Sequence, residues 1–117
     1  MNKILVVDDE QSLQLAYRQE FEDEGYEVHS ALSGKDALRK LKSVSPDLVI
    51  LDITMPGMNG IEVLRQIKEV NPKTKVILSS SHHEYKQDLS AWASDDFIVK
   101  SANMDDLKAA VRRHLSE

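Results

Sequence analysis

Leu48-Val49-Ile50-Leu51-Asp52 is an unbroken aliphatic run that stops at a carboxylate. A run with no polar interruption reads as a strand buried on both faces, the kind a parallel sheet requires. Three further segments share this form. Ile4-Leu5-Val6-Val7 leads into Asp8-Asp9, Val76-Ile77-Leu78 into Ser79-Ser80, and Phe97-Ile98-Val99 into Lys100. Ligands of parallel sheets bind beyond the carboxyl ends of the strands. Three carboxylates, a hydroxyl and an ammonium are therefore expected at one edge.

Between these runs the apolar spacing changes to that of helices. Leu13, Ala16, Tyr17 and Phe21 form one apolar face, and Gly25 ends that helix as a left-handed cap. Residues 27–31 form a weaker strand, expected at a sheet edge. Ser33 opens the next helix, with Asp36 three positions on in an approximate capping box. Ala37, Leu38 and Leu41 supply its inner face, and Ser45-Pro46 punctuates before the Asp52 strand. Met55-Pro56-Gly57-Met58-Asn59-Gly60 reads as a loop. The helix after it presents Ile61, Leu64, Ile67 and Lys68 and stops before Asn71-Pro72. Tyr85, Leu89, Trp92 and Ala93 are in phase for a fourth helix. A fifth begins near Asn103, with Asp106 at the third position, and carries Leu107, Ala110, Val111 and Leu115.

This alternation predicts the α/β class, as a three-layer (βα)5 sandwich around a parallel sheet. The flavodoxin-like strand order 2-1-3-4-5 makes strands 1 and 3 neighbours at the switch point, which brings Asp8, Asp9 and Asp52 together. The 117 residues support one core, so 1–117 reads as a single domain. A hydrophobic share of 41% and a charged share of 30% argue against disorder. The net charge of −5 weighs against nucleic acid as a direct partner, and part of it belongs to the acidic set itself. The absence of cysteine excludes disulfides and thiolate metal sites. With no apolar stretch of bilayer length and no leader pattern, no membrane partner and a cytoplasmic location are expected.

Clustered carboxylates repel one another unless a cation lies among them. Mg2+ takes oxygen ligands and keeps several waters. Asp9 and Asp52 are expected as direct ligands, Asp8 through a metal-bound water, and Thr54 through its backbone carbonyl. Asp52 is then the nucleophile, attacking phosphorus in line to give an acyl phosphate. Phosphoryl transfer is mostly positioning and charge stabilisation. Mg2+ and Lys100 would neutralise the equatorial oxygens, and Ser80 would donate its hydroxyl to one of them.

The motifs Val6-Val7-Asp8-Asp9-Glu10, residues 52–60 from Asp52 to Gly60, and Asp96-Phe97-Ile98-Val99-Lys100 carry a resemblance over essentially the whole chain. The sequence resembles the receiver domain of two-component response regulators, in the CheY-like superfamily. The resemblance implies Asp52 as phosphoacceptor, Asp8 and Asp9 as the acidic pair, Ser80 as the switch hydroxyl and Lys100 as the site lysine. It also implies Phe97 as the aromatic switch, with Thr54 and His82 at the positions that tune dephosphorylation. A histidine kinase or phosphotransfer protein, or a small donor such as acetyl phosphate, would supply the phosphoryl group. The fourth helix, fifth strand and fifth helix would form the output face toward a downstream protein or effector domain. Three features depart from the family pattern. Ser101 follows Lys100 where the family usually has Pro, often through a cis bond; without Pro a cis bond costs about 3 kcal/mol, so a trans or strained bond is expected. Ser80 replaces the commoner Thr and rotates more freely about χ1. The segment between Ser80 and Lys100 is short for the family.

Each residue also has a plainer reading. Asp8-Asp9 alone would cap the first helix, Asp52 alone would be a turn residue, and Lys100 alone a solvated strand end. Ser79, Ser80 and Ser81 form a run in which register selects Ser80. His82-His83 reads as a surface pair rather than a metal site, and His29 and His114 as solvated. Trp92 reads as core, or as part of the output face. Lys108, Arg112 and Arg113 suit a helix C-terminus. Two other functions compete. A Mg2+-dependent phosphohydrolase would need an acid/base residue where Thr54 stands. A degenerate receiver would act as a phosphate-independent interaction module. The switch reading therefore makes the chain no enzyme beyond self-phosphorylation and hydrolysis at Asp52.

Overall fold

The structure is a computed structural model that describes residues 2–53, 60–80, 95–99 and 104–115. Five strands, β1 (Lys3–Val7), β2 (Glu27–Ala31), β3 (Leu48–Asp52), β4 (Lys75–Ser80) and β5 (Asp96–Val99), form one sheet in the order β2-β1-β3-β4-β5. Every pairing is parallel. The described residues hold four helices: α1 (Gln11–Asp23), α2 (Gly34–Val44), α3 (Gly60–Val70) and α4 (Asp105–Leu115). The helix expected around Tyr85, Leu89, Trp92 and Ala93 lies outside the described residues, so α4 is the last helix of the sequence.

Alternation along each strand sends successive side chains to opposite faces. Leu5, Val7, Val49, Leu51, Val76, Leu78 and Phe97 pack with Ala37 and Leu41 of α2 and with Val63, Leu64 and Ile67 of α3. Ile4, Val6, Leu48, Ile50 and Ile77 pack on the other face with Tyr17 and Phe21 of α1 and with Leu107, Ala110 and Val111 of α4. The sheet is thus covered on both sides. All five residues of β3 are buried, and β2 is the edge strand its weaker pattern foretells.

Local signals end the helices as expected. The Ser33 hydroxyl accepts the Asp36 amide at 3.1 Å and caps α2. After α1, the Tyr26 amide reaches Phe21 O and the Gly25 amide reaches Glu22 O. Gly25 stands at φ +96°, the left-handed residue this paired-carbonyl termination requires.

Four expectations need correction. Ala16 is exposed, and Gln14 takes its place inside. At about 100° per residue, positions 14, 17 and 21 fall within a narrow arc while 16 points away from it. Gly60 is the first residue of α3 rather than the end of the loop, the rest of which lies outside the described residues. The last helix begins at Asp105, and the Met104 carbonyl accepts the Lys108 amide at 2.8 Å to close its first turn. His29 and His114 are engaged rather than solvated: His29 meets Glu27 at 2.7 Å, and His114 meets Asp96 at 3.2 Å, while His82 and His83 lie outside the described residues.

Candidate metal centre at the carboxyl edge

The register builds the site. Val7 pairs with Leu51, so the residues that follow, Asp8 and Asp52, stand at one level on adjacent strands. The Asp8 amide bonds to Ala31 O at 3.1 Å, and the Ile53 amide bonds to Ser79 O at 3.1 Å. Both bonds carry the ladder just past the strand ends and fix where these aspartates sit. One carboxylate oxygen each from Asp8, Asp9 and Asp52 lies within 4.8 Å of the others. Asp8 is 1% exposed and Asp52 3% exposed, whereas Asp9 faces solvent.

Two buried carboxylates and one at the mouth make an all-oxygen donor set, open on one side. That chemistry fits a hard divalent cation that keeps water ligands, and it does not fit a thiophilic metal. The plainer reading of Asp8 holds in part as well. Its Oδ1 accepts the Glu10 amide at 3.0 Å, a side-chain turn leading into α1. The capping position itself is Glu10, whose side chain makes no capping bond.

Ser79 and Ser80 both lie inside β4. Ser79 pairs with Asp52, and Ser80 pairs with Val99, one residue before Lys100. Ser80 is fully buried. Alternation places it with Leu78 on the α2–α3 face, two rows above Phe97, which pairs with Leu78 and is buried. Ser79 is buried in Asp52's own row, and its Oγ finds no partner among the described residues. Thr54, His82, Lys100 and Ser101 lie outside the described residues.

Sequence reasoning passed over one buried polar residue here, Gln14, and named Ser79 only as a register neighbour of Ser80. The signal for Gln14 was present: position 14 completes the i, i+3, i+7 pattern with Tyr17 and Phe21. Its polarity hid it.

A doubly wound parallel sheet with an acidic cluster at its switch point defines a class of α/β domains that bind ligands beyond the carboxyl ends of the strands. Comparison with known proteins narrows the class. The family model of the response regulator receiver domain matches residues 4–112, and the chain belongs to that family. It is therefore a receiver domain of two-component signalling.

Among curated relatives, sporulation initiation phosphotransferase F of Bacillus subtilis is 32% identical over 97% of this chain and 93% of its own length. The regulatory protein AtoC of Escherichia coli is 33% identical over 98% of this chain. The chain spans only 25% of AtoC and 53% of the response regulator ArlR of Staphylococcus saprophyticus. Among solved structures, the response regulator TrrA of Thermotoga maritima in complex with Mg2+-BeF is 45% identical, with a TM-score of 0.91. That alignment covers 98% of this chain and 100% of TrrA. TrrA is also known in complex with the histidine kinase ThkA, at a TM-score of 0.89. No described helix is long and apolar enough to cross a membrane.

Proposed function

We propose that this chain, as one domain over 1–117, is a Mg2+-dependent phosphoacceptor switch with Asp52 as the phosphorylated residue. The observation that carries the reading is the convergence of Asp8, Asp9 and Asp52 within 4.8 Å at the end of the sheet. Support comes from TrrA, 45% identical, which binds Mg2+-BeF and forms a complex with a histidine kinase. By the same likeness the donor is a histidine kinase or phosphotransfer protein, with acetyl phosphate as a small substitute. A cytoplasmic location goes with that donor.

Asp9 and Asp52 would hold Mg2+ directly, Asp8 through a water, and Thr54 through its carbonyl. Bound there, the ion would supply positive charge for the oxygens of the incoming phosphoryl group. Asp52 donates an electron pair to phosphorus to form the new O–P bond as the bond from phosphorus to the donor breaks, and the donor leaves with the electrons of that broken bond. The product is a mixed anhydride at Asp52 and a dephosphorylated donor. Lys100 neutralises one phosphoryl oxygen, and Ser80 donates its hydroxyl to another.

The phosphoryl group carries up to about −2 where the carboxylate carried −1, and this charge with its three acceptor oxygens gives Ser80 a reason to move toward the site. Phe97 lies on the same face two rows below and follows into the space that Ser80 vacates. The surface of the expected fourth helix, β5 and α4 then changes its affinity for a downstream protein or effector domain. Water later hydrolyses the anhydride at a rate tuned by Thr54 and His82. No other reaction is assigned to the chain.

The test is intact mass after incubation with acetyl phosphate and Mg2+, with Asp52→Asn and a chelated sample as controls. The expected result is one phosphoryl adduct that needs both Asp52 and the metal. A folded protein that takes up no phosphoryl group from acetyl phosphate or a kinase, and does not bind Mg2+, would instead be a phosphate-independent interaction module.

A further inference from the structure

We propose that Gln14 is a positioning residue for the acidic centre, holding the peptide that carries Asp8 and Asp9; this rests on the Mg2+-dependent reading above. Gln14 is buried, and its Nε2 lies 2.9 Å from Val6 O, 3.0 Å from Asp8 O and 3.0 Å from Ala31 O. An amide NH2 has two hydrogens, so three carbonyls share two donors. The orientation of the amide follows from its surroundings, because turning it over would set its oxygen against three carbonyl oxygens. In this orientation Oε1 is buried with no partner among the described residues. An acceptor left unmet is unfavourable, and the side chain adopts this arrangement to satisfy the three carbonyls.

Those carbonyls are not arbitrary. Val6 O lies within β1, Asp8 O belongs to the peptide joining Asp8 to Asp9, and Ala31 O ends β2 and also accepts the Asp8 amide. Gln14 thus ties α1 to the ends of both strands and fixes the plane of the Asp8–Asp9 peptide. That plane sets where the exposed Asp9 carboxylate stands relative to the buried pair. The α1 backbone closes the loop, since the Gln14 amide bonds to Glu10 O at 3.1 Å.

The experiment titrates Mg2+ into the full chain by calorimetry, for wild type, Gln14→Met, Asp9→Asn and the double variant. Methionine keeps the length and apolar volume and removes both donors. Loss of a group that orients metal ligands typically weakens binding by about 10- to 100-fold, and a loss of about tenfold is expected for Gln14→Met. In the Asp9→Asn background the same change is expected to matter by less than about twofold, because the ligand it positions is gone. The metal-free amide resonances of Asp9 and Glu10 should shift in Gln14→Met.

Unchanged Mg2+ affinity in a folded Gln14→Met overturns the proposal. So does an equal loss with and without Asp9, which would mark a general effect on stability. If Gln14→Met does not fold, Gln14→Asn serves, with the same amide one methylene too short; wild-type affinity there also overturns the proposal. A wild-type chain that binds no Mg2+ removes the functional reading and this inference with it, whereas a defect confined to the variants bears on Gln14 alone.

Discussion

At Asp8, one carboxyl group both accepts the Glu10 amide and stands within 4.8 Å of the Asp9 and Asp52 carboxylates. Three like charges so close repel until a cation joins them. Asp9 is the exposed member, so replacing it disturbs no packing. Asp9→Asn should therefore melt above wild type in chelator and below it in millimolar Mg2+, with Mg2+ affinity reduced on the order of tenfold. Thermal melts and a titration check both limbs. A second carboxylate answers to pH. Burial pushes Asp95 up, but the Lys68 ammonium at 2.7 Å and the Val76 amide at 2.8 Å outweigh it and hold the group below its ordinary 3.8. Its folded value is depressed, so the stability it supplies is complete above about pH 4 and is lost as pH falls through the folded value. Lys68→Met should cost about 1–3 kcal/mol at neutral pH and flatten the acid limb of a pH–melting curve. The three aspartates were legible in the sequence because Asp8 and Asp52 directly follow aliphatic runs and Asp9 is next to Asp8. The bonds of Lys68, Gln14 and His114 were not, since their partners Asp95, Ala31 and Asp96 are distant in sequence and only the fold brings them together.

The strands announce themselves through composition, whereas the helices depend on their ends. Ser33 and Gly25 were readable because a cap is a local matter of one hydroxyl or one positive φ. The start of α3 was not, because Gly60 reads as a loop residue by its type, and its close packing against Ile53 comes only with the fold. Gly60 shows the cost of that packing. A Cβ there would lie 2.9 Å from Ile53 Cα, inside van der Waals contact with the backbone just after Asp52. Gly60→Ala must displace α3 or the end of β3. It should lose about 1–3 kcal/mol of stability and weaken Mg2+ binding as well, since Ile53 is bonded to Asp52. Denaturant melts alongside Mg2+ titration test this; lost stability with unchanged affinity would mean that α3 moves and β3 does not.

The whole molecule places two apolar clusters on a sheet whose carboxyl edge holds the charge. Folding therefore assembles the acidic cluster, and a cation held there, as proposed, would stabilise the fold in return. Mg2+ at about 100 times its Kd should add about 2.7 kcal/mol, a rise in melting temperature of roughly 10 °C for a domain of this size. The parallel sheet and its strand order followed from the alternation of aliphatic runs and helical spacing, and parallel pairing left few topologies open. The chain covers 93% of sporulation initiation phosphotransferase F but 25% of AtoC, so domains similar to it make up nearly all of one relative and a small part of another. Whether the carboxylate of Asp52 carries the phosphoryl group is read by treating the chain with acetyl phosphate and Mg2+, reducing the acyl phosphate with borohydride, and mapping the reduced position by tandem mass spectrometry. Reduction is expected at residue 52 alone, and only when Mg2+ is present. Reduction at Asp8 or Asp9, or labelling that ignores the metal, would contradict it.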